Sequence, residues 1–261
     1  MQPIQEGRGS VGTPRQAPPM ADDERSLGRD PRVRVVILAL AVIAGWLDGL
    51  TFVALGTVFV SAVTGDLVQL GITAAGGEWS GFTVLVAALA AFMAGTAVAV
   101  AMVRTVGSSG WPGPVRRPLL VHAALLIAFA LLWTLIGDPR PATSGAVLVA
   151  AVAALSAGIQ GAVFLGLGIR GANVSAVTGV LMLLAAGVTE RSRGVVGPRS
   201  ELPLWELGLI LAVYAVSGLI VALLLSGEAG LLVWVPAAIA IGVIAAIPAR
   251  SPLPPAGPAS A

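Results

Sequence analysis

Asp48 and Asp66 are carboxyls set inside long apolar runs. A charge at the centre of a bilayer costs at least ~2.5–3.5 kcal/mol on insertion scales, so an acidic residue there needs a specific reason to persist. One reason is chemistry: a carboxyl in a dry site holds its proton more readily and can exchange it as a solute moves. The other is structural: a hydrogen-bonded Asp can pin a broken helix in place. Around the two carboxyls lie small polar groups, Ser61 and Thr64 beside Gly65. A second set comprises Gln160, Asn173, Ser175, Thr178 and Gly179. These ten residues are the candidates for contact with a substrate or ion.

Other polar groups carry less. His122 reads as an interfacial residue near the start of an apolar stretch, and Glu206 as helix N-terminal acidity. Ala41, Gly45 and Gly49, four residues apart, form a small-residue face suited to close helix packing. The chain has no cysteine, which excludes disulfides, thiolate metal sites and cysteine nucleophiles. It shows no metal-ligand cluster, no phosphate-binding loop and no dinucleotide fingerprint. No catalytic residue, metal or cofactor is therefore expected. The basic residues are loop arginines without a nucleic-acid-binding pattern.

The elements that must position these groups are set by composition. Apolar residues make up 57% of the chain and charged residues 11%, against roughly 25% charged in a soluble domain. Eight apolar stretches follow one another at residues 33–55, 57–76, 81–103, 118–136, 144–168, 171–189, 203–226 and 229–248. Several match the ~20 residues a helix needs to cross hydrocarbon. Gly and Pro punctuate the breaks, as at Gly76-Gly77, Pro112-Gly113-Pro114 and Gly137-Asp138-Pro139. Residues 1–32, rich in Pro, Gly and charge, read as a disordered cytoplasmic tail, and 251–261 as a loose C-terminal tail.

Arginine placement argues against eight crossings. Basic residues collect on the cytoplasmic side of short loops. If 57–76 and 171–189 enter the membrane and return to the same side, Arg104, Arg116, Arg117, Arg170, Arg191, Arg193, Arg199 and Arg250 join the N-terminal arginines inside. Arg140 alone stays outside. The expectation is six spanning helices plus two re-entrant or broken segments, in a bacterial inner membrane, with both termini cytoplasmic. Trp79, Trp133 and Trp234 then fall near the outer boundary and Trp111 and Trp205 near the inner one, with Trp46 deep in the first span.

The chain also repeats itself. Ser61-Ala62-Val63-Thr64-Gly65 recurs as Ser175-Ala176-Val177-Thr178-Gly179. Upstream, Gly49, Phe52, Leu55 and Gly56 match Gly161, Phe164, Leu167 and Gly168, and Asp48 falls opposite Gln160. The fold class is thus an all-α membrane protein of two related halves, 33–140 and 141–250. Three crossings per half make the repeats inverted, an arrangement common in secondary transporters, whose sites lie near the midplane at broken helices. Exposed backbone at such a tip is tolerable only inside protein or against a wet cavity, so the two Thr-Gly tips are expected to face each other.

The string Gly45-Trp46-Leu47-Asp48-Gly49, then Ala54-Leu55-Gly56, Val58-Phe59-Val60-Ser61 and Thr64-Gly65-Asp66, resembles the YoaK-like family of bacterial membrane proteins. That family is defined by a domain of unknown function. Its second signature looks like Gly158-Ile159-Gln160 followed by Thr178-Gly179. The family usually has Thr-Gly-Asn where this chain has Thr64-Gly65-Asp66. The resemblance covers most of residues 33–248 and implies a multi-pass membrane protein with no assigned activity.

Three functional classes remain open. The first is a secondary transporter of a small solute, proton-coupled through Asp48 or Asp66. The second is a non-transporting scaffold or sensor. The third is an intramembrane enzyme using two carboxylates that share a proton. The expected partners are the lipid bilayer and a small solute, with no nucleic acid.

Overall fold

The computed structural model describes residues 30–56, 58–104, 113–137, 139, 141, 143–167, 177–194, 200, 202–225 and 229–247. The N-terminal tail up to residue 29, the C-terminal tail at 251–261, and Gly168, Asn173 and Ser175 lie outside the described residues. Among the described residues the fold is all-helical, with no strand.

The order is α1 (Pro31–Leu55), α2 (Thr64–Gly76), α3 (Trp79–Arg104), α4 (Gly113–Ile136), α5 (Ser144–Leu167), α6 (Val177–Ser192), α7 (Leu204–Leu224), a 3-10 turn (Ala229–Trp234) and α8 (Val235–Ala246). Five of these helices are long and apolar enough to cross a membrane: α1, α3, α4, α5 and α7. The last apolar stretch is divided by the 3-10 turn, and 57–76 is helical only from Thr64 onward.

Local chemistry sets the ends of α1. Asp30 caps it by accepting from the Arg32 N–H at 2.8 Å, and Pro31 occupies the first helical position, where a missing N–H costs nothing. At the other end Gly56 adopts φ 84° and donates its N–H to the Phe52 carbonyl. This left-handed conformation is open to glycine and strained for other residues. It stops the helix and turns the chain back along it.

Helices α1 and α5 are the inner pair: 67% and 72% of their apolar cores are buried, against 28% for α3 and 22% for α7. Each inner helix takes one outer helix as its main neighbour, α1 with α7 and α5 with α3. Helix α4 packs on α5 and α8 on α1, while α2 lies on α3 and α6 on α7.

Contacts along these seams give directions. Arg34 meets Glu206, Gly45 meets Tyr214 and Gly49 meets Gly218, so α1 and α7 run the same way. Gly95 meets Leu155 and Ile159, and Ala99 clusters further on with Ile159 and Ala162, so α3 and α5 also run together. The inner helices oppose each other. Gly56 at the end of α1 touches Pro141 just before α5, whereas Leu40 accepts from Gln160 late in α5. Helices α4 and α5 form an antiparallel hairpin, with Ile136 against Gly145 and His122 against Ser156.

The seams close through missing side chains. A Cβ on Gly45 would overlap the Tyr214 carbonyl, one on Gly95 the Leu155 carbonyl, and one on Gly158 the Phe92 carbonyl. Between transmembrane helices association relies on van der Waals contact and interhelical hydrogen bonds, so such backbone approach contributes directly to stability. Thr96 uses it, donating its hydroxyl to the Gly158 carbonyl at 3.1 Å. The small-residue face read on α1 is thereby accounted for.

Overpacking typically costs about 1–3 kcal/mol. Gly45→Ala, Gly95→Ala and Gly158→Ala are each expected to lower the thermal midpoint in detergent. Gly71→Ala and Gly242→Ala, where an added Cβ meets nothing within 4 Å, should leave it unchanged or slightly raised. Equal losses in both groups would refute the close-approach account.

Candidate functional site

Residues 58–63 leave Gly56, fold back along the last turns of α1 and hand over to α2 at Thr64. Phe59 stacks at a tilt on Phe52 of α1, ring centroids 4.8 Å apart, which fixes the return path. The segment reaches Asp48, seven residues before the end of α1 and therefore about 10 Å back from it.

Non-helical backbone at that depth cannot rely on water, so its N–H groups need partners within the protein. Asp48 supplies them. Its Oδ1 accepts from the N–H groups of Val60 and Ser61, both at 2.8 Å. Its Oδ2 faces two hydroxyls, Ser61 Oγ and Tyr214 OH, the latter at 2.6 Å from the middle of α7. Backbone N–H groups can only donate, so Oδ1 is an acceptor, and the two hydroxyls complete the carboxyl's capacity. Asp48 and Ser61 are buried and Tyr214 is half-buried. One side chain thus ties α1, the returning segment and α7 together.

Asp66 stands in the first turn of α2, where negative charge meets the positive end of the helix dipole. Its Oδ1 accepts from the Phe59 N–H at 3.0 Å, so Asp48 and Asp66 between them hold the three consecutive amides of residues 59–61. Asp66 has no exposed surface, and its Oδ2 has no hydrogen-bond partner. No hydrogen bond joins the two carboxyls. Gly65 packs close by, where a Cβ would touch the Phe59 ring at 3.5 Å.

The other sequence candidates are not gathered here. Thr64 is exposed at the start of α2; Thr178 is exposed and Gly179 half-buried at the start of α6. Helix α2 rests on α3 and α6 on α7, and neither helix packs substantially on the other, unlike the facing tips expected from the sequence. Gln160 is buried between the inner helices, donating from Nε2 to the Leu40 carbonyl at 2.9 Å, while its Oε1 has no partner. It lies about 12 Å from Asp48 as measured along α1.

The structure also fixes the surroundings of four other polar or aromatic residues. His122 is fully buried in the seam of α4 and α5, with Nδ1 2.8 Å from Ser156 Oγ and 3.0 Å from the Ser156 carbonyl, so it is not an interfacial residue. Trp133 packs edge-on against Phe129 at 5.6 Å and is buried, because it points to the core side of α4 rather than to lipid. Glu206 stands in the first turn of α7 as expected and also pairs with Arg34 at 2.9 Å. Trp46 tolerates its depth because its indole N–H donates to the Leu232 carbonyl at 2.9 Å.

Tyr214 was not among the sequence candidates. It is the single tyrosine in the chain and sits in the middle of an apolar stretch. A phenol placed there needs an acceptor, which is the signal that could have marked it. Its partner lies 166 residues away and is set by packing alone.

The helical, carboxyl-bearing membrane fold has a counterpart among known sequences. The family described as Protein of unknown function (DUF1275) matches residues 36–247 of this chain. The chain belongs to this family. Within it, the chain is similar to the UPF0700 transmembrane protein YoaK of Bacillus subtilis (strain 168), at 29% identity over 208 residues, 78% of this chain and 89% of that protein. No solved structure matches the chain. Membership establishes a multi-pass membrane protein, and both acidic residues fall within the matched region.

The clamp makes a graded prediction. Tyr214→Phe removes one hydrogen bond to the carboxyl and should cost about 1.5–3 kcal/mol. Asp48→Ala leaves two buried N–H groups unpaired and should cost more, at about 1–3 kcal/mol for each group. Denaturation in detergent micelles should also show the double variant less damaged than the sum of the singles, since both act on one site. Additive losses would mean that Tyr214 and Asp48 act separately.

Proposed function

We propose that this member of the family is a secondary transporter of a small solute, built from two inverted halves around the Asp48 clamp. The observation that carries this reading is the irregular segment at 58–63, held deep in the helical bundle by Asp48 of the first half and Tyr214 of the second. Broken backbone at the meeting of two repeats is where such transporters bind and gate their solutes.

Helix directions support the inverted arrangement. With α1 taken as outward, α4 and α7 are outward and α3 and α5 inward. Residues 58–78 then start and finish at one end of the bundle. Adding the 3-10 turn and α8 as one further crossing makes six. Exchanging the halves turns the seam of α1 and α7 into that of α5 and α3, and the pairing of α4 with α5 into that of α8 with α1. The Gly45 approach to the Tyr214 carbonyl is matched, one residue out of register, by Gly158 against the Phe92 carbonyl. On this reading Asp48 and Gln160 occupy equivalent places, with both termini cytoplasmic in a bacterial inner membrane.

A second reading has its own observation. Every acceptor position of Asp48 is occupied by this chain's own donors, as expected of a scaffold whose tip never moves. An enzyme with a shared-proton dyad has less support, because the two carboxyls hold successive amides rather than each other.

Single cysteines in the natural cysteine-free background distinguish these readings in intact cells and inverted vesicles. Glu78→Cys is expected to react with impermeant maleimide from outside and Arg117→Cys from inside; the reverse would mean eight crossings and parallel halves. Thr64→Cys should react with a polar thiol reagent from both faces, at different rates, as the tip alternates. Reaction with apolar reagents alone would leave the scaffold reading in place.

A further inference from the structure

The two carboxyls differ in one respect that their sequence does not reveal. Both oxygens of Asp48 are engaged by donors, whereas Asp66 is satisfied at Oδ1 only. An ionised oxygen buried without a partner loses its hydration with nothing in return. The favourable term at this position, the start of α2, is the helix dipole, which acts on a single turn and is weak beside the loss of hydration. Burial therefore outweighs the helix dipole.

Among the described residues no cation offsets it. Helix α2 carries no basic residue, and neither does the 58–63 segment. Helix α3 is free of titratable groups until Arg104 at its far end. On α1 the charged neighbour is Asp48 itself, an acid, with Arg32 and Arg34 at the opposite end of the helix. On α7 the nearest titratable group is Tyr214, already committed to Asp48. Glu78 lies beyond the end of α2 and is exposed.

We propose that Asp66 is a proton-binding site: with the tip closed on α1, Oδ2 carries one proton accepted from hydronium, which is left as water, and Asp48 stays a fixed clamp. Release of that proton requires the tip to move Oδ2 toward water or a donor. That step alone rests on the transport reading above. The site holds a proton rather than a second hydrogen-bond donor from the chain, and the roles of the two acids are thereby divided. Asp66 is the group that exchanges, and Asp48 the group that positions the 59–61 backbone against which it exchanges.

Dicyclohexylcarbodiimide tests this directly, since it adds to protonated carboxyls in apolar surroundings. The natural full-length protein in sodium-free membranes is treated across a pH series and the adduct mapped by mass spectrometry. The expected adduct is on Asp66, with a yield falling about tenfold per pH unit once the group is mostly ionised. It should be absent in Asp66→Asn and retained in Asp66→Glu, which also reports that the fold survives. A comparable yield on Asp48, no adduct at any pH, or a pH-independent yield overturns the assignment. Protection by sodium at constant pH would overturn it as well, giving the site to a metal cation. An Asp66 adduct together with a one-sided or lipid-only thiol at residue 64 would keep the proton site and remove the transport reading.

Discussion

A polypeptide that stops being helical inside an apolar bundle exposes N–H groups that no water can reach. Each unpaired one costs on the order of the stabilisation that a single hydrogen bond contributes, or more. In this protein the constraint falls on residues 59–61, and two carboxyls meet it. Asp48 does most of this, and its position fixes how far the segment can penetrate. Because Tyr214 reaches the same carboxyl from α7, the depth of the segment also depends on the register between α1 and α7. That register depends in turn on Gly45 and Gly49, whose lack of side chains lets the two backbones touch.

The same economy recurs across the bundle. In lipid, apolar side chains gain little by meeting one another, so helices are held by shape and by the few polar groups that find partners. Glycines make the shape at both main seams, and His122 with Ser156, Thr96 with Gly158, and Trp46 with Leu232 supply partners elsewhere. Buried polar residues are therefore mostly accounted for by structure. That is why the two with an unengaged oxygen, Asp66 and Gln160, stand out. On the inverted-repeat reading the first half carries ionisable Asp48 and the second carries Gln160. The two tips are then chemically unequal even where their Ser-Ala-Val-Thr-Gly sequences agree.

Much of the fold was legible from one chain. The positions of the apolar stretches, the break in the second one, the small-residue face of α1 and the presence of Asp48, Ser61 and Asp66 within apolar surroundings all follow from local composition. Hydropathy and helix breakers act over short distances, and so does the cost of a charge in an apolar run. Distance from the end of a stretch gives depth alone, whereas the surroundings of His122 and Trp133 depend on which side of the helix faces protein. Thr64 and Thr178 were grouped by their matching sequences, yet each faces outward from its own helix.

The sequence alone determined that the chain is an all-helical, multi-pass membrane protein with acidic residues where lipid would exclude them. It did so because transfer from water to hydrocarbon is a property of each residue and its near neighbours. Only the tertiary structure decided that Asp48 is saturated and Asp66 is not, that Tyr214 completes the clamp, and that α1 runs with α7 and against α5. The Tyr214 bond and the opposition of α1 and α5 rest on contacts between segments more than 100 residues apart. The bonds that fill Asp48 and leave Asp66 half-filled, though closer in sequence, depend on how the 58–63 segment folds back on α1; packing sets both geometries.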